Sequence, residues 1–367
     1  MYKSLQAGRA IAAILVVLFH LGGAIASEKY FGISAFAVPF SFGDAGVEFF
    51  FVLSGFIIFN AHRRDISKPH KVAEYIKKRL LRIYPTYWII FFSVFLTALS
   101  SSSLRNSVPH DAPLIIQSLL LVPLDNEIVG GTGAPVIIVA WTLQYEMSFY
   151  FFFALMIINR WAALAGGLSI LIAYIGCSMA SSCSFPLSFI HSDYILLFAM
   201  GMIVSAVHCS KLSLKKPIFI AFLGIFLFFL IALDKVIQLS MLPINKTLLY
   251  GLASSLIVLG FTRMENEGIV IGGQKWLQLL GNSSYALYLM HFPLISILCK
   301  LFAHLGLNHY GVMGAILSYC SIFSACVISA VVFHLWVEIP TIMFLRGLKP
   351  RRPLDIKPGS PSTDEIS

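Results

Sequence analysis

The chain has 367 residues, of which 58% are hydrophobic and only 12% are charged, and its mean hydropathy is +0.85. Soluble domains carry about 25% charged residues, so this composition excludes a soluble globular enzyme and indicates a polytopic membrane protein. The formal net charge of +9 is also compatible with a nucleic-acid-binding protein, and the positions of the cations along the chain decide between the two.

Windows of about 20 apolar residues predict ten membrane-spanning helices and therefore an all-α polytopic bundle. Residues 1–346 would form this membrane domain. Residues 347–367 are rich in Pro, Ser and charge, so we expect them to form a disordered cytoplasmic tail. The predicted spans are 8–27, 44–61, 83–101, 135–158, 161–180, 190–208, 216–233, 245–262, 283–305 and 311–336.

The basic residues are distributed very unevenly between the predicted loops. With the N-terminus placed in the cytoplasm, 21 of the 26 Lys and Arg fall on the cytoplasmic side. Lys29, Arg105, Lys235 and Lys246 fall outside, and Lys300 lies near an outer helix end. The positive-inside rule then predicts a multi-pass membrane protein with both termini in the cytoplasm. The net charge is therefore mainly a topology signal, and no nucleic-acid partner is expected.

The first predicted span carries an ionisable side chain near each end of its apolar run, Arg9 and His20. Eleven helical steps of about 100° place both on one face, separated by about 16 Å along the axis. Such groups are costly in a bilayer and often functional. A snorkelling arginine with a satisfied core histidine explains the pattern equally well. The segment also resembles a signal peptide with a cleavage site near residues 24–26, but its length favours a retained span.

Acidic and basic residues flank the second span. Asp44 and Glu48 lie one helical turn apart at its outer end, where the helix dipole favours negative charge. The cytoplasmic loop 62–82 follows and carries eight cations. The last part of this loop, which includes Arg79 and Arg82, carries more positive charge than is needed to orient the protein in the membrane. We expect it to bind anionic lipid or the phosphates of a cytoplasmic ligand.

Residues 102–134 form a long loop that we expect to lie on the outer side. The loop contains an amphipathic run over 113–124 and a glycine-rich run over 130–133. Long ordered loops more often than not have a function. This loop is therefore a candidate for contact with an outer substrate.

The fourth span contains a carboxylate inside its apolar run, Glu146. Thr142 and Tyr150 lie four residues to either side and share its helix face. Glu146 and His20 each lie about twelve residues from the predicted cytoplasmic end of their spans, so they match in depth if the two helices are neighbours. A His and a Glu at such a depth can exchange protons in acid/base chemistry. A structural buried pair, or a proton relay in a transporter, remains open.

The last two spans carry further polar residues. Ser284, Tyr288 and His291 line one face of span nine at spacings of four and three, and we expect His291 to be structural and nearer the cytoplasm than His20. His334 and Glu338 are expected to form a surface pair at the inner end of span ten.

The six cysteines show no metal-ligand spacing and fall mostly in apolar segments, so no metal is expected. Cys177 and Cys183 could meet near the outer surface.

Taken in this order and topology, these motifs resemble the bacterial membrane-bound acyltransferase-3 family, whose members include O-acetylases of exopolysaccharides and lipopolysaccharides. The resemblance covers about residues 8–340. Glu48 stands where the family often has Asp, so the carboxylate is kept. The motifs on which the resemblance rests are Arg9 and His20, Gly-Val-Glu-Phe-Phe-Phe-Val-Leu-Ser-Gly-Phe at 46–56, Arg79-Leu80-Leu81-Arg82-Ile83-Tyr84-Pro85, Trp141-Thr142-Leu143 with Glu146, and Ser284-Tyr285 through His291-Phe292-Pro293.

The resemblance implies an O-acyltransferase of the bacterial inner (plasma) membrane. Its cytoplasmic donor substrate would be acyl-CoA, expected to be acetyl-CoA, and no bound cofactor is expected. The acceptor would be a hydroxyl of an extracytoplasmic or lipid-linked carbohydrate. A direct attack and a covalent acyl-histidine intermediate both remain open. The residues expected in the site are His20 as general base with Glu146, then Arg9, Arg79 and Arg82 for the donor, and Glu48, Trp141 and Tyr150 for the substrate.

Two other functions use the same residues differently. A transporter or flippase of a glycan intermediate would use Glu146 and His20 as a proton relay. A structural subunit of a polysaccharide export complex would not depend on His20. The mass of the glycan separates these hypotheses, because transfer adds acyl mass whereas transport changes the amount of polymer at the surface.

The distribution of cations predicts the topology directly. A reporter fused after Arg64 should report the cytoplasm, and one fused within 105–130 should report the outer side. Reversal of either result would contradict the predicted topology. A fusion after Ala26 tests the signal-peptide alternative, because cleavage there would release the reporter from the membrane.

Overall fold

The structure, a computed structural model, describes residues 2–102, 104–180, 183–210, 216–238 and 245–347. Within these ranges all regular secondary structure is helical, as the sequence predicts. Short 3-10 segments connect the α-helices, and one π-helical segment, His334–Glu338, joins the last two. The α-helices are α1 (Lys3–Ala26), α2 (Gly46–His62), α3 (Val72–Ser100), α4 (Ala112–Leu119), α5 (Asn126–Val129), α6 (Trp141–Ile158), α7 (Arg160–Met179), α8 (Leu187–Ile190), α9 (Asp193–Cys209), α10 (Pro217–Ile237), α11 (Lys246–Asn266), α12 (Lys275–Asn282), α13 (Ser284–His304), α14 (Gly311–Phe333) and α15 (Ile339–Leu345).

Nine helical segments of the described chain are long and apolar enough to cross a membrane, which confirms a polytopic all-α bundle. They contain α1, α2, α3, α7, α9, α10, α11, α13 and α14. The fourth predicted span corresponds to α6, which is not among the nine. Its first half carries Gln144, Glu146 and Ser148, and these polar side chains lower its apolar character. The predicted tail lies outside the described residues, apart from Gly347.

Helix α3 begins at Val72, eleven residues before the predicted third span, so much of the expected cytoplasmic loop is helical. Its first turns are stabilised by ion pairs of Glu74 with Lys71 at 3.2 Å and with Lys78 at 3.0 Å. A helix of 29 residues is about 44 Å long, whereas the hydrocarbon core is about 30 Å thick. The charged start of α3 therefore extends beyond the membrane, and Arg79 is held on a rigid helix.

Helix α1 is the central helix of the bundle and contacts α2, α11, α12, α13 and α14. Its N-terminus is capped by Glu265 of α11, whose two carboxylate oxygens accept the backbone N–H groups of Lys3 at 2.8 Å and Ser4 at 2.9 Å. A carboxylate here satisfies two free donors and opposes the positive end of the helix dipole. This cap sets the height at which Arg9 and His20 lie in the bundle.

Part of the chain between α3 and α6 packs back along α3, which the expectation of an outer loop over 102–134 does not include. The backbone carbonyls of residues 118–120 accept hydrogen bonds from Tyr84, Tyr87 and Trp88 of α3, at 2.7 to 3.0 Å. Tyr84 lies sixteen residues before the C-terminal end of α3 at Ser100, which is about 24 Å along the helix. The segment therefore re-enters the bundle. Lipid offers no donors for backbone carbonyls, and these three side chains replace the missing water.

Two cysteines that the sequence places near the outer surface are joined in the structure. Cys177 at the end of α7 forms a disulfide with Cys183, and their Cα atoms are 5.7 Å apart. The bond ties the end of α7 to the residues that precede α8.

Small residues allow α2 and α9 to approach closely. A Cβ atom added at Gly201 of α9 would overlap the carbonyl oxygen of Val52 in α2, and one added at Gly55 would overlap that of Phe198. Such glycine contacts are typical of membrane helices, because little else than packing drives helix association in lipid. They hold α2 against α9 and thereby leave the opposite face of α2 free to line a cavity.

A methyl group at this contact should destabilise the bundle. Gly201→Ala meets rigid backbone, and overpacking costs about 1–3 kcal/mol, so the midpoint of thermal unfolding in detergent should fall. Gly176→Ala in α7 is the matched control, because no atom lies within 4 Å of its added Cβ. An equal effect of the two substitutions would contradict this account of the α2–α9 contact.

Candidate active site

A cavity lies between α1, α2, α3, α6 and α13. We call it the central cavity. One part of its wall is apolar and the other is polar, which is the usual character of a small-molecule site. The apolar lining consists of Val47, Phe50, Phe51, Leu53, Ile57, Ile58, Ile83 and Leu143, and the polar lining of Arg9, Ser54, Arg79, Arg82, Thr142, Glu146, Tyr150, Ser284, Tyr285 and Tyr288.

Two of the predicted donor-binding arginines enter the cavity from α3. Arg79 and Arg82 are three residues apart and share a helix face. Arg79 is buried, and its guanidinium lies 3.3 Å from Nε2 of His62, whose Nδ1 lies 2.9 Å from the carboxylate of Asp65. The guanidinium carbon also lies 5.9 Å from the centre of the Tyr150 ring. These contacts fix the Arg79 side chain against the cavity wall.

The third predicted arginine, Arg9, reaches the same cavity from α1. It is buried, and its Nη1 donates a hydrogen bond to Oε1 of Gln6 at 3.2 Å. Gln6 in turn donates to the side-chain oxygen of Asn282 at the end of α12. The snorkelling alternative for Arg9 is wrong, because its guanidinium is held inside the bundle instead of reaching towards the surface.

The central cavity has an excess of positive charge. It contains three arginines and one carboxylate, Glu146. Within the described part of the chain, no salt bridge of 4.0 Å or less joins any of these arginines to a carboxylate. Buried charges normally have a counter-charge, so this arrangement favours an anionic ligand.

Glu146 lies on the cavity wall with the residues of its own helix face. It accepts hydrogen bonds from Ser54 Oγ of α2 at 3.3 Å and from the Tyr150 hydroxyl one turn later in α6. The Thr142 hydroxyl donates to Tyr288 of α13 at 3.1 Å. The predicted face Thr142–Glu146–Tyr150 is thus a continuous polar surface that links α2, α6 and α13.

His20 lies outside the cavity lining and pairs with a residue other than the expected one. Its Nδ1 atom lies 3.0 Å from the carbonyl oxygen of Val16 and 3.3 Å from Nε2 of His291. Phe292 packs edge-on against the His20 ring, with centroids 5.4 Å apart. Among the described residues, no hydrogen bond joins His20 to Glu146. Glu146 is instead bonded to Ser54 and Tyr150.

The expectation that His291 lies nearer the cytoplasm than His20 is wrong. Gln6 contacts Asn282, and His20 contacts His291. The fourteen residues from Gln6 to His20 in α1 therefore cover the same depth as the nine residues from Asn282 to His291, and the two histidines lie at the same level. The number of residues from a helix end gives the depth of a side chain only when the helices are straight and parallel, whereas membrane helices tilt by about 20° on average. The chain also changes direction at Ser283, between α12 and α13.

The remaining predicted substrate residues lie near the cavity but do not line it. Glu48 is buried in the first turn of α2, and its Oε2 has no hydrogen-bond partner in the described structure. Trp141 begins α6 and packs against Tyr194 with ring centroids 4.9 Å apart. The structure thus brings together Arg9, Arg79, Arg82, Glu146 and Tyr150, and it leaves His20, Glu48 and Trp141 around them.

The pair of His334 and Glu338 is not on the surface as predicted, because Glu338 is buried and His334 is half-buried. His334 Nδ1 lies 2.6 Å from Glu338, which also accepts a hydrogen bond from Thr86 of α3 at 3.3 Å. A helical spacing of four shows that two side chains can meet, but it does not show what packs over them.

Sequence reasoning missed Ser54, Tyr285 and Tyr288 as cavity residues and His291 as a partner of His20. The signal was present in the shared face of Ser284, Tyr288 and His291. This signal did not identify the neighbouring helix, because periodicity shows which residues share a face but not which helix that face contacts.

Comparison with known proteins identifies the family of the chain. The sequence profile of a family described as an acyltransferase domain matches residues 2–335. The chain is 31% identical over 278 residues to the exopolysaccharide production protein ExoZ of Rhizobium meliloti (strain 1021), and the match covers 73% of this chain and 82% of ExoZ. No solved structure matches the chain. The protein therefore belongs to the membrane-bound acyltransferase-3 family, as its motifs predict, and is an acyltransferase.

Proposed function

We propose that this protein transfers an acyl group, in the simplest case acetyl, from cytoplasmic acyl-CoA to a carbohydrate hydroxyl on the outer side of the membrane or on a lipid carrier. Family membership and the similarity to an exopolysaccharide production protein support the proposal. The observation that carries it is the central cavity, whose three arginines have no carboxylate partner among the described residues and which adjoins a histidine pair.

The donor part of the proposal rests on the charge and shape of the cavity. Coenzyme A carries several phosphate groups, and arginine binds phosphate through two parallel, charge-assisted hydrogen bonds. Arg79 and Arg82 enter from the half of α3 that the distribution of cations assigns to the cytoplasm. The apolar side chains of Phe50 and Leu53 offer a surface for the uncharged arm of the donor.

The acyl group would react where the cavity approaches the histidine pair. Tyr288 lines the cavity, and its ring centroid lies 5.8 Å from that of His291. The His291 ring centroid lies 5.0 Å from that of His20. A donor with its phosphates on the arginines and its thioester beside Tyr288 would therefore present the acyl carbon close to His20.

The reaction itself needs one base. The acceptor oxygen attacks the thioester carbon as its proton passes to neutral His20. The carbon–sulfur bond then breaks, and the CoA thiolate takes the proton to leave as free CoA. The products are the O-acyl carbohydrate and CoA, so no oxidant or metal is required.

The other predicted residues have supporting roles in this proposal. Glu146 would hold the hydroxyls of Ser54 and Tyr150 and balance part of the arginine charge. Glu48 and Trp141 lie at the outer ends of α2 and α6, and they remain our candidates for contacts with the acceptor.

Removing the cavity arginines should weaken donor binding. A charge-assisted hydrogen bond contributes about 1.5–3 kcal/mol, so Arg79→Ala with Arg82→Ala should raise KM for acetyl-CoA about 100-fold or more. The measurement is steady-state kinetics on purified protein. Lys77→Ala with Lys78→Ala is the matched control, because it removes two exposed cations from the same helix. Equal effects of the two double substitutions would contradict donor binding in the cavity.

Removing the proposed base should stop transfer without preventing folding. Loss of a general base typically lowers the rate by about 10² to 10⁴, so His20→Ala should leave no detectable acylation while still binding acetyl-CoA. Glu146→Gln should fold and be slow. His304→Ala, an exposed histidine at the end of α13, is the control.

The glycan mass tests the class of protein in the same strains. Cells carrying His20→Ala should keep the polymer at the surface and lose only its acyl mass. Loss of the whole polymer would favour transport, and wild-type acylation by His20→Ala would refute the proposed base.

A further inference from the structure

Two histidine rings meet in the interior of the bundle, His20 from α1 and His291 from α13, with their planes inclined at 55° and their centroids 5.0 Å apart. His291 is fully buried, whereas His20 is partly exposed. Each histidine places its Nδ1 near the carbonyl oxygen four residues earlier in its own helix, Val16 for His20 at 3.0 Å and Leu287 for His291 at 3.1 Å. These two carbonyls are acceptors only, so they decide where the ring protons lie.

The Leu287 carbonyl determines the tautomer of His291. An oxygen at 3.1 Å from Nδ1 requires a proton on that nitrogen. In a neutral imidazole the other nitrogen then carries a lone pair. Nε2 of His291 is therefore an acceptor, and it lies 3.3 Å from Nδ1 of His20.

The same argument applies to His20, which now faces two acceptors. Its Nδ1 lies near both the Val16 carbonyl oxygen and the Nε2 lone pair of His291. Only a protonated Nδ1 satisfies both contacts. The other nitrogen, Nε2, is then unprotonated, and it has no hydrogen-bond partner among the described residues.

The opposite arrangement of protons is unfavourable at two places. If His20 carried its proton on Nε2, a lone pair on Nδ1 would face the Val16 oxygen. If His291 reversed to donate from Nε2, its Nδ1 lone pair would face the Leu287 oxygen. No water can relieve the second contact, because His291 is fully buried and its ring packs against the rings of His20 and Tyr288.

We propose that His291 is a positioning residue that holds His20 with Nδ1 protonated and leaves its Nε2 lone pair free to take the proton of the acceptor hydroxyl. This inference rests on the proposed function, and it names the reacting nitrogen of His20. When Nε2 takes the proton, the His20 ring becomes a cation and the Nδ1–H bond to His291 becomes charge-assisted. Such bonds are roughly twice as strong as neutral ones, so the pair favours the transition state.

Kinetics with two His291 variants test this role. His291→Gln keeps an acceptor oxygen near the position of Nε2, whereas His291→Leu keeps the volume but removes the acceptor. Loss of an orienting partner typically lowers activity about 10- to 100-fold. We expect His291→Leu to lower kcat by this factor with KM for acetyl-CoA unchanged, and His291→Gln to recover most of the loss. Equal kcat values for the two variants would overturn the proposal.

Nitrogen NMR provides a measurement that a purely structural role would not change. In ¹⁵N-histidine-labelled protein in lipid bilayers, His20 should show a protonated Nδ1 and an unprotonated Nε2, with coupling across the N–H···N bond to His291. The His20→Ala variant assigns these signals. His291→Gln should keep the His20 tautomer, whereas His291→Leu should lose the coupling and show a mixture of tautomers. A His20 ring protonated on Nε2 in the wild type would overturn the inference.

The outcomes separate this inference from the proposed function. Wild-type acylation by His20→Ala refutes the function itself. An inactive His20→Ala protein, together with wild-type kcat in His291→Leu, refutes only the role of His291. His304→Leu serves as the control for both measurements, because that histidine is exposed.

Discussion

Three guanidinium groups lie inside a bundle whose outer surface faces hydrocarbon, and their solvation governs how the neighbouring helices pack. A charged side chain at the centre of a bilayer costs about 2.5–3.5 kcal/mol even by the lowest estimates. Arg9 is therefore bonded to Gln6, and Arg79 is held by His62 and by the faces of two tyrosine rings. None of these partners removes the positive charge of the cavity. The bundle thus solvates the arginines with polar groups and leaves their charge available to an anionic ligand.

The same requirement applies to the backbone of the re-entrant segment. Its carbonyls at residues 118–120 are satisfied by three aromatic donors of α3. Gln144 of α6 donates to two further carbonyls, those of Val122 at 3.3 Å and Gly133 at 2.9 Å. These bonds fix the chain that leads into α6, and thereby the position of Glu146 on the cavity wall. A segment that composition alone would place outside is part of the support of the site.

The charge-binding and proton-accepting parts of the site are separated along one helix. Arg9 and His20 are about 16 Å apart on α1, roughly half of the hydrocarbon thickness. Tyr288 connects the two parts, because it lines the cavity and lies beside His291. This separation suits a reaction in which donor and acceptor approach from opposite sides of a membrane.

Composition and hydropathy sufficed to predict the helical, membrane-spanning class, and the sequence also pointed to the three arginines of the cavity, because these properties depend on local periodicity and on the cost of charge in lipid. The orientation in the membrane rests on the distribution of cations and stays a prediction. The shared face of Arg9 and His20 also follows from helix geometry alone. The partners of these residues do not. The sequence pointed to Glu146 beside His20, but the tertiary structure pairs His20 with His291 and Glu146 with Ser54 and Tyr150. Depth in the bundle depends on tilt, on the bend at Ser283 and on glycine contacts between distant helices, and none of these is encoded in the spacing of residues along a single helix.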